Sequence, residues 1–244
     1  MALALLIPMF FLALRWWLLL RGHGFEVPLG RIFFVTYAGA FFNNFLPGSV
    51  GGDLTKAILA ASGEDRKAAI AGTVILDRLI GLGVMILLGA ACMTPYLAEF
   101  KDPRLAWLVY GMLGAMVVGI GLYLSPPVRA LMARLPFRNT VGELDGVFRD
   151  ALRKKRLVAA ASGISLLAQA SSILAIYGLS AAMGITGAKV WMFFIFEPII
   201  FIVTALPISV GGWGVQEKLY AELFGTFGGV DPNQAIALSV LYKL

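Results

Sequence analysis

Apolar and polar positions fall in long blocks along this chain, not in the strict alternation of strands or the narrow stripe of a soluble helix. Apolar runs extend from Met1 to about Leu20, Ile32 to Leu46, Ala68 to Met93, Leu105 to Leu124, Leu157 to Met183 and Val190 to Leu206, and again from Asn233. Runs of about 20 residues predict spanning helices, whereas Ile32 to Leu46, at roughly fifteen, is marginal for a crossing. Polar turns separate them at Gly22–Arg31, Ser62–Lys67 and Thr94–Pro103. The one long polar segment is Ser125–Arg156. Its apolar positions (Val128, Leu131 and Leu135, then Leu144, Val147, Phe148, Ala151 and Leu152) recur at helical spacing and predict helices lying on the membrane surface. The predicted class is an all-α, polytopic helical membrane protein.

Two apolar runs end in nearly the same polar break. Leu46-Pro47-Gly48-Ser49-Val50-Gly51-Gly52-Asp53 recurs as Leu206-Pro207-Ile208-Ser209-Val210-Gly211-Gly212. Proline and paired glycines inside lipid-length apolar sequence free backbone groups that hydrocarbon cannot satisfy. Such breaks persist where they are buried in protein or line a wet cavity, and a matched pair marks a transporter-like binding site. Each break predicts a short helix after it, Asp53–Ala61 and Trp213–Phe224.

Composition supports the membrane reading. Hydrophobic residues are 59% of 244, charged residues only 14%, and mean hydropathy is +0.85. Met1–Leu20 carries Arg15 and lacks a small-residue cleavage site, so it reads as a membrane helix and not a signal peptide. Arg15-Trp16-Trp17 and Arg21 read as an aromatic belt with a basic flank. The run from Asn233 stops at Leu244 in mid-span, which predicts a chain truncated at one or both ends.

The formal charge of +6 is the basic excess of cytoplasmic loops, with no nucleic-acid partner implied. Ser125–Arg156 alone holds eight basic residues and is assigned to the cytoplasm, together with Gly22–Arg31 and Ser62–Lys67. The first break then enters and leaves from the cytoplasmic side and is re-entrant. After three full spans the second enters from the other side. The expectation is one membrane domain, 1–244, with halves of about 1–124 and 157–244 forming an inverted repeat.

Candidate chemistry sits at and around the breaks. Gly51-Gly52 and Gly211-Gly212 each precede a predicted helix, whose free N–H groups suit a phosphate; the plainer alternative is a tight turn or close helix packing. Asn44, Ser49, Gly51, Gly52, Asp53, Lys56, Arg78, Ser209, Gly211, Gly212 and Glu217 are the candidate headgroup-binding residues. Asp53 sits where an N-cap belongs, and Glu217 where a first-turn carboxylate meets the helix dipole. Asp77 and Arg78 stand mid-helix, where each unpaired charge costs about 2.5–3.5 kcal/mol. Adjacent residues point about 100° apart, so each needs a partner elsewhere: Arg78 with Asp53 or a lipid phosphate, Asp77 with Lys56 or Arg15. Asp77 and Glu197 are candidates for a proton or ion-pair network. The lone Cys92 and lone His23 leave no basis for a disulfide or a His-based metal site. No nucleophile elbow, P-loop or zinc motif occurs, so neither cofactor nor metal nor enzyme activity is expected.

Four ordered motifs carry a resemblance. Arg15-Trp16; Asn43-x2-Leu46-Pro47-x3-Gly51-Gly52-Asp53-x2-Lys56; Leu76-Asp77-Arg78-Leu79-x-Gly81; and Leu206-Pro207-x-Ser209-x-Gly211-Gly212-x-Gly214-Val215-x-Glu217 resemble the flippase-like membrane region of lysylphosphatidylglycerol synthases of the multiple peptide resistance factor type. Lys56 and Gln216 stand where that family often has arginine. The resemblance implies movement of an anionic or aminoacylated phospholipid between leaflets of the bacterial plasma (inner) membrane, by a multi-pass protein. A separately encoded synthase, which the chain would serve as a structural partner, and a second copy of the chain are the further candidate partners. A membrane enzyme or accessory factor acting on polyprenyl-phosphate-linked sugars is the alternative.

Overall fold

The computed structural model describes residues 2–43, 50–62, 66–97, 103–128, 138–205 and 209–243. Within them the regular structure is helical, without strands, and the membrane-type all-α class stands. The elements are α1 (Ala2–Gly22), α2 (Leu29–Asn43), α3 (Val50–Ala60), α4 (Lys67–Met93), α5 (Pro103–Leu124), α6 (Arg138–Arg153), α7 (Lys155–Ala182), α8 (Val190–Ala205), α9 (Val215–Glu222) and α10 (Pro232–Lys243). Among the described residues three helical stretches, Lys67–Tyr96, Pro103–Leu124 and Lys155–Ala182, are long and apolar enough to cross a membrane.

Two apolar cores are stacked along α4 and α7. The first gathers Trp16, Leu19 and Leu20 of α1, Ile32 of α2, Ile70 of α4 and Ala161 of α7. The second gathers Met93 at the far end of α4, Ile176 of α7, Phe193 and Phe196 of α8, and Tyr220 and Phe224 of and after α9.

At the first end the basic segments come together. Lys154 Nζ donates to the Gly22 carbonyl (2.6 Å) and to Asp150 (2.6 Å), joining the end of α1 to the α6–α7 junction. The His23 ring lies between the Leu19 and Val147 carbonyls, at 2.7 and 3.2 Å. Tyr123, at the end of α5, donates to Asp145 of α6 (2.7 Å). This corrects the surface-helix expectation for Arg138–Arg153. Val147 and Ala151 are buried against protein, and a Cβ on Gly72 of α4 would lie 3.2 Å from Val147. Amphipathicity reports that one face of a helix is covered, not what covers it.

α2 and α3 form an antiparallel hairpin open at this same end. Arg31 donates to the carbonyls of Leu59 (3.1 Å) and Ser62 (3.4 Å) at the open end, while Asn43 meets Gly52 toward the tip. At 15 and 11 residues the arms reach about 22 and 16 Å, short of the roughly 30 Å hydrocarbon core. Their approach is set by glycine. A Cβ on Gly52 would stand 2.2 Å from the Gly39 carbonyl oxygen, and one on Gly39 would stand 2.9 Å from that of Gly52.

α8 and α9 form a second antiparallel hairpin, open at the opposite end. Trp191 stacks on Tyr96, beyond the C-terminal end of α4, at 4.4 Å between ring centroids. Gly187, just before α8, lies against Gly228–Val230, after α9. Pro198 inside α8 removes one helical donor, and its ring fills the notch at Gly89 of α4, where a Cβ would meet it at 3.0 Å. A π-helical turn, Leu223–Phe227, follows α9.

The α2–α3 contact leaves no room for a methyl group. Gly52→Ala is therefore expected to lower stability by about 1–3 kcal/mol through overpacking. Gly111→Ala on α5, where a Cβ meets nothing within 4 Å, should be neutral or slightly stabilising. Thermal unfolding of both variants in detergent checks this, and equal behaviour would refute the glycine-set packing.

Candidate functional site

The first charge cluster is built on the face that α1 presents to α4. Arg15 grips Asp77 with two hydrogen bonds, Nε to Oδ1 at 2.6 Å and a terminal nitrogen to Oδ2 at 3.0 Å, and donates a third to Ser165 of α7 at 2.8 Å. One residue on, Trp16 donates from its indole to Thr73 at 3.2 Å. Thr73, Asp77 and Gly81 are spaced by four and so lie on one stripe of α4. Gly81 is the seat of the guanidinium, since a Cβ there would come within 2.8 Å of it. Arg15, Trp16, Thr73 and Asp77 are all buried. Arg15-Trp16 is thus an interior docking element, which corrects its reading as an aromatic belt. Trp17 beside it donates to the Val27 carbonyl at 3.0 Å.

Arg78 points away from this stripe and pairs with Asp53 of α3. Both anticipated partners, Arg15 for Asp77 and Asp53 for Arg78, are therefore observed. Two details differ from expectation. α3 starts at Val50, so Gly51, Gly52 and Asp53 lie within its first turns; Asp53 is not the N-cap, and the glycines do not precede the helix. The Gly52 N–H is also taken, donating to the Asn43 side chain at 2.8 Å. Helix packing, not an open anion-binding terminus, explains Gly52.

Lys56 stands between the two pairs. Its stem crosses Gly39, its ammonium is 5.8 Å from the centre of the Trp16 ring, and its charged neighbours are Asp77, Asp53, Arg15 and Arg78. Each Arg–Asp pair is internally neutral. Lys56 has no ion pair among the described residues, so the described side chains of the cluster carry one positive charge in surplus.

The second break is built differently. Gly211, Gly212 and Gly214 have φ of 56°, 76° and 81°, the left-handed region that favours glycine, and they turn the chain into α9. Glu217 reaches back to accept the Gly214 N–H at 2.6 Å, the first-turn role open to it. Its other oxygen faces Lys243 of α10 at 3.8 Å. Glu197 is not part of this cluster. It is buried in the second core and accepts a hydrogen bond from Tyr220. Asn44 and Ser49 lie outside the described residues, as does Pro207 of the second break. Sequence reasoning missed Lys243, Tyr220 and Ser165 as partners. Gly81, four residues after Asp77, was the available signal for the Arg15 seat.

Residues of all four motifs thus take part in these polar contacts. The family description "Lysylphosphatidylglycerol synthase TM region" matches residues 1–244, the whole chain. The chain belongs to that family. No curated protein and no solved structure matches it. Membership supports a membrane protein linked to lipid metabolism or transport.

A buried ion pair resists the loss of one partner more than the loss of both. Arg15→Met alone and Asp77→Leu alone are each expected to cost about 3–5 kcal/mol, and the double variant less than either single one. A double-mutant cycle by chemical denaturation in detergent measures this; additive losses would contradict the pairing.

Proposed function

We propose that this protein is a flippase-like transporter, not an enzyme, that moves an anionic or aminoacylated phospholipid between leaflets of the bacterial inner membrane. The α2–α3 and α8–α9 hairpins are re-entrant in this reading. They belong to inverted halves, about 1–124 and 157–244, of one multi-pass domain. The headgroup phosphate is held at the first cluster by Lys56 with Arg78, while Asp53 sets the position of Arg78.

The observation that carries this reading is Lys56, which sits on one arm of a hairpin too short to span, is flanked by two Arg–Asp pairs, and has no ion pair of its own among the described residues. Intramembrane charge is costly unless paired, and an extra cation is stabilised by an anionic ligand. Two further features support it. The hairpins open at opposite ends, as alternating access requires, and the basic segments collect at the end where the first hairpin opens.

The test is translocation of fluorescent phospholipids in proteoliposomes. Wild type should move an anionic lipid between leaflets. Folded Lys56→Met and Arg78→Ala should each slow it by about tenfold or more, the equivalent of one lost charge-assisted hydrogen bond. Asp53→Asn should act in the same direction by releasing Arg78. Wild-type protein that moves neither anionic nor aminoacylated lipid would overturn the proposal.

A further inference from the structure

The turn between α8 and α9 contains a contact that neither the capping of α9 nor the first cluster explains. The Lys243 ammonium lies 4.1 Å from the centre of the Trp213 ring and 3.8 Å from Glu217 Oε1. Its side chain is only 7% exposed and that of Glu217 14%. It also lies against Gly212, where a Cβ would stand 3.7 Å from Nζ, an ordinary contact distance. Yet Lys243 Nζ, Glu217 Oε1 and Ser209 Oγ, all withdrawn from solvent, make no hydrogen bond among the described residues.

A lysine kept for stability should be hydrogen-bonded as well as paired, since a buried charge held at a distance recovers little of its desolvation cost. The surroundings of Lys243 are instead those of a receptor. An aromatic face and a carboxylate are the groups that bind an ammonium ion. The receptor is also assembled without Lys243. Three left-handed glycines shape the turn, and Glu217 is anchored through its other oxygen to the Gly214 N–H. Lys243 arrives from a different helix, on a long and flexible stem able to swing aside.

We propose that the Trp213–Glu217 turn is a binding site for a primary ammonium group, and that Lys243 fills it as an internal competitor which a headgroup ammonium displaces. This rests on the lipid-binding reading above. The incoming ammonium donates to Glu217 Oε1, stacks on Trp213, and has Ser209 Oγ on the same turn as a further acceptor. Lys243 sets the threshold for occupancy, because affinity is reduced by the fraction of molecules in which the site is filled from within.

The test is native mass spectrometry of the full chain in detergent. The probe is a short-chain phosphatidylethanolamine, and its N-acetylated counterpart is the control. Lys243→Met should bind phosphatidylethanolamine about tenfold more tightly than wild type, as expected if one site in ten is open, with the N-acetylated lipid unchanged. Lys243→Gln should behave alike, which guards against a packing effect of methionine. Adding Glu217→Gln, which keeps the Gly214 cap but removes the charge, should abolish the gain. Free ethanolamine should compete in Lys243→Met more effectively than in wild type.

Unchanged or weaker phosphatidylethanolamine binding in both Lys243 variants overturns the inference, as does an equal gain for the N-acetylated lipid. If wild type binds anionic phospholipid normally in that case, the inference falls alone. If no variant binds any phospholipid, the proposed function falls with it.

Discussion

The bidentate contact between Arg15 and Asp77 is the constraint on which the rest of the first half depends. Neither charge can be left alone in an apolar interior, so α1 and α4 must meet in one register and at one rotation. Everything nearby follows from that register. Gly81 is bare because the guanidinium lies against it, Thr73 receives the Trp16 indole one turn earlier, and Ser165 draws in α7. With Asp77 turned toward α1, Arg78 is turned about 100° away, where α3 supplies Asp53. The charge of Lys56 stands out because Asp77 and Asp53 beside it are each already paired with an arginine.

Small residues and proline then decide how closely the remaining helices approach. Gly39 and Gly52 bring the arms of the first hairpin to backbone contact, Gly72 admits α6, and Gly89 receives Pro198. With little hydrophobic drive between helices in lipid, such close packing is a principal source of association. The outcome is two cores sharing α4 and α7, each holding one short hairpin. The duplicated break thus serves two local structures. In the first copy the glycines are helical and packed; in the second they are left-handed and form a turn.

The long helices were legible in the sequence to within a few residues, because a lipid-length apolar run bounded by polar turns has few other solutions. The ion pairs were legible for the same energetic reason. A mid-span Asp77 and Arg78 demand partners, and the chain offers few. What was not legible is direction and distance. The apolar face of α6 was plain, but whether membrane or protein covers it was not. Gly51-Gly52 and Gly211-Gly212 read alike, since their difference comes from Asn43 meeting the Gly52 N–H and from Glu217 capping Gly214. Lys243, which meets the second break from another helix, has no local signature at all.

In the proposed inverted arrangement the two hairpins enter from opposite faces of the membrane. The direct measurement is labelling by an impermeant maleimide in a Cys92→Ala background, with single cysteines at Glu26, Ser62, Lys189 and Asn233, all exposed. Positions 26 and 62 should label from one face and positions 189 and 233 only from the other. Labelling of 26 and 62 from opposite faces, or of 189 and 233 from opposite faces, would mean that a hairpin crosses the bilayer, and would contradict that arrangement.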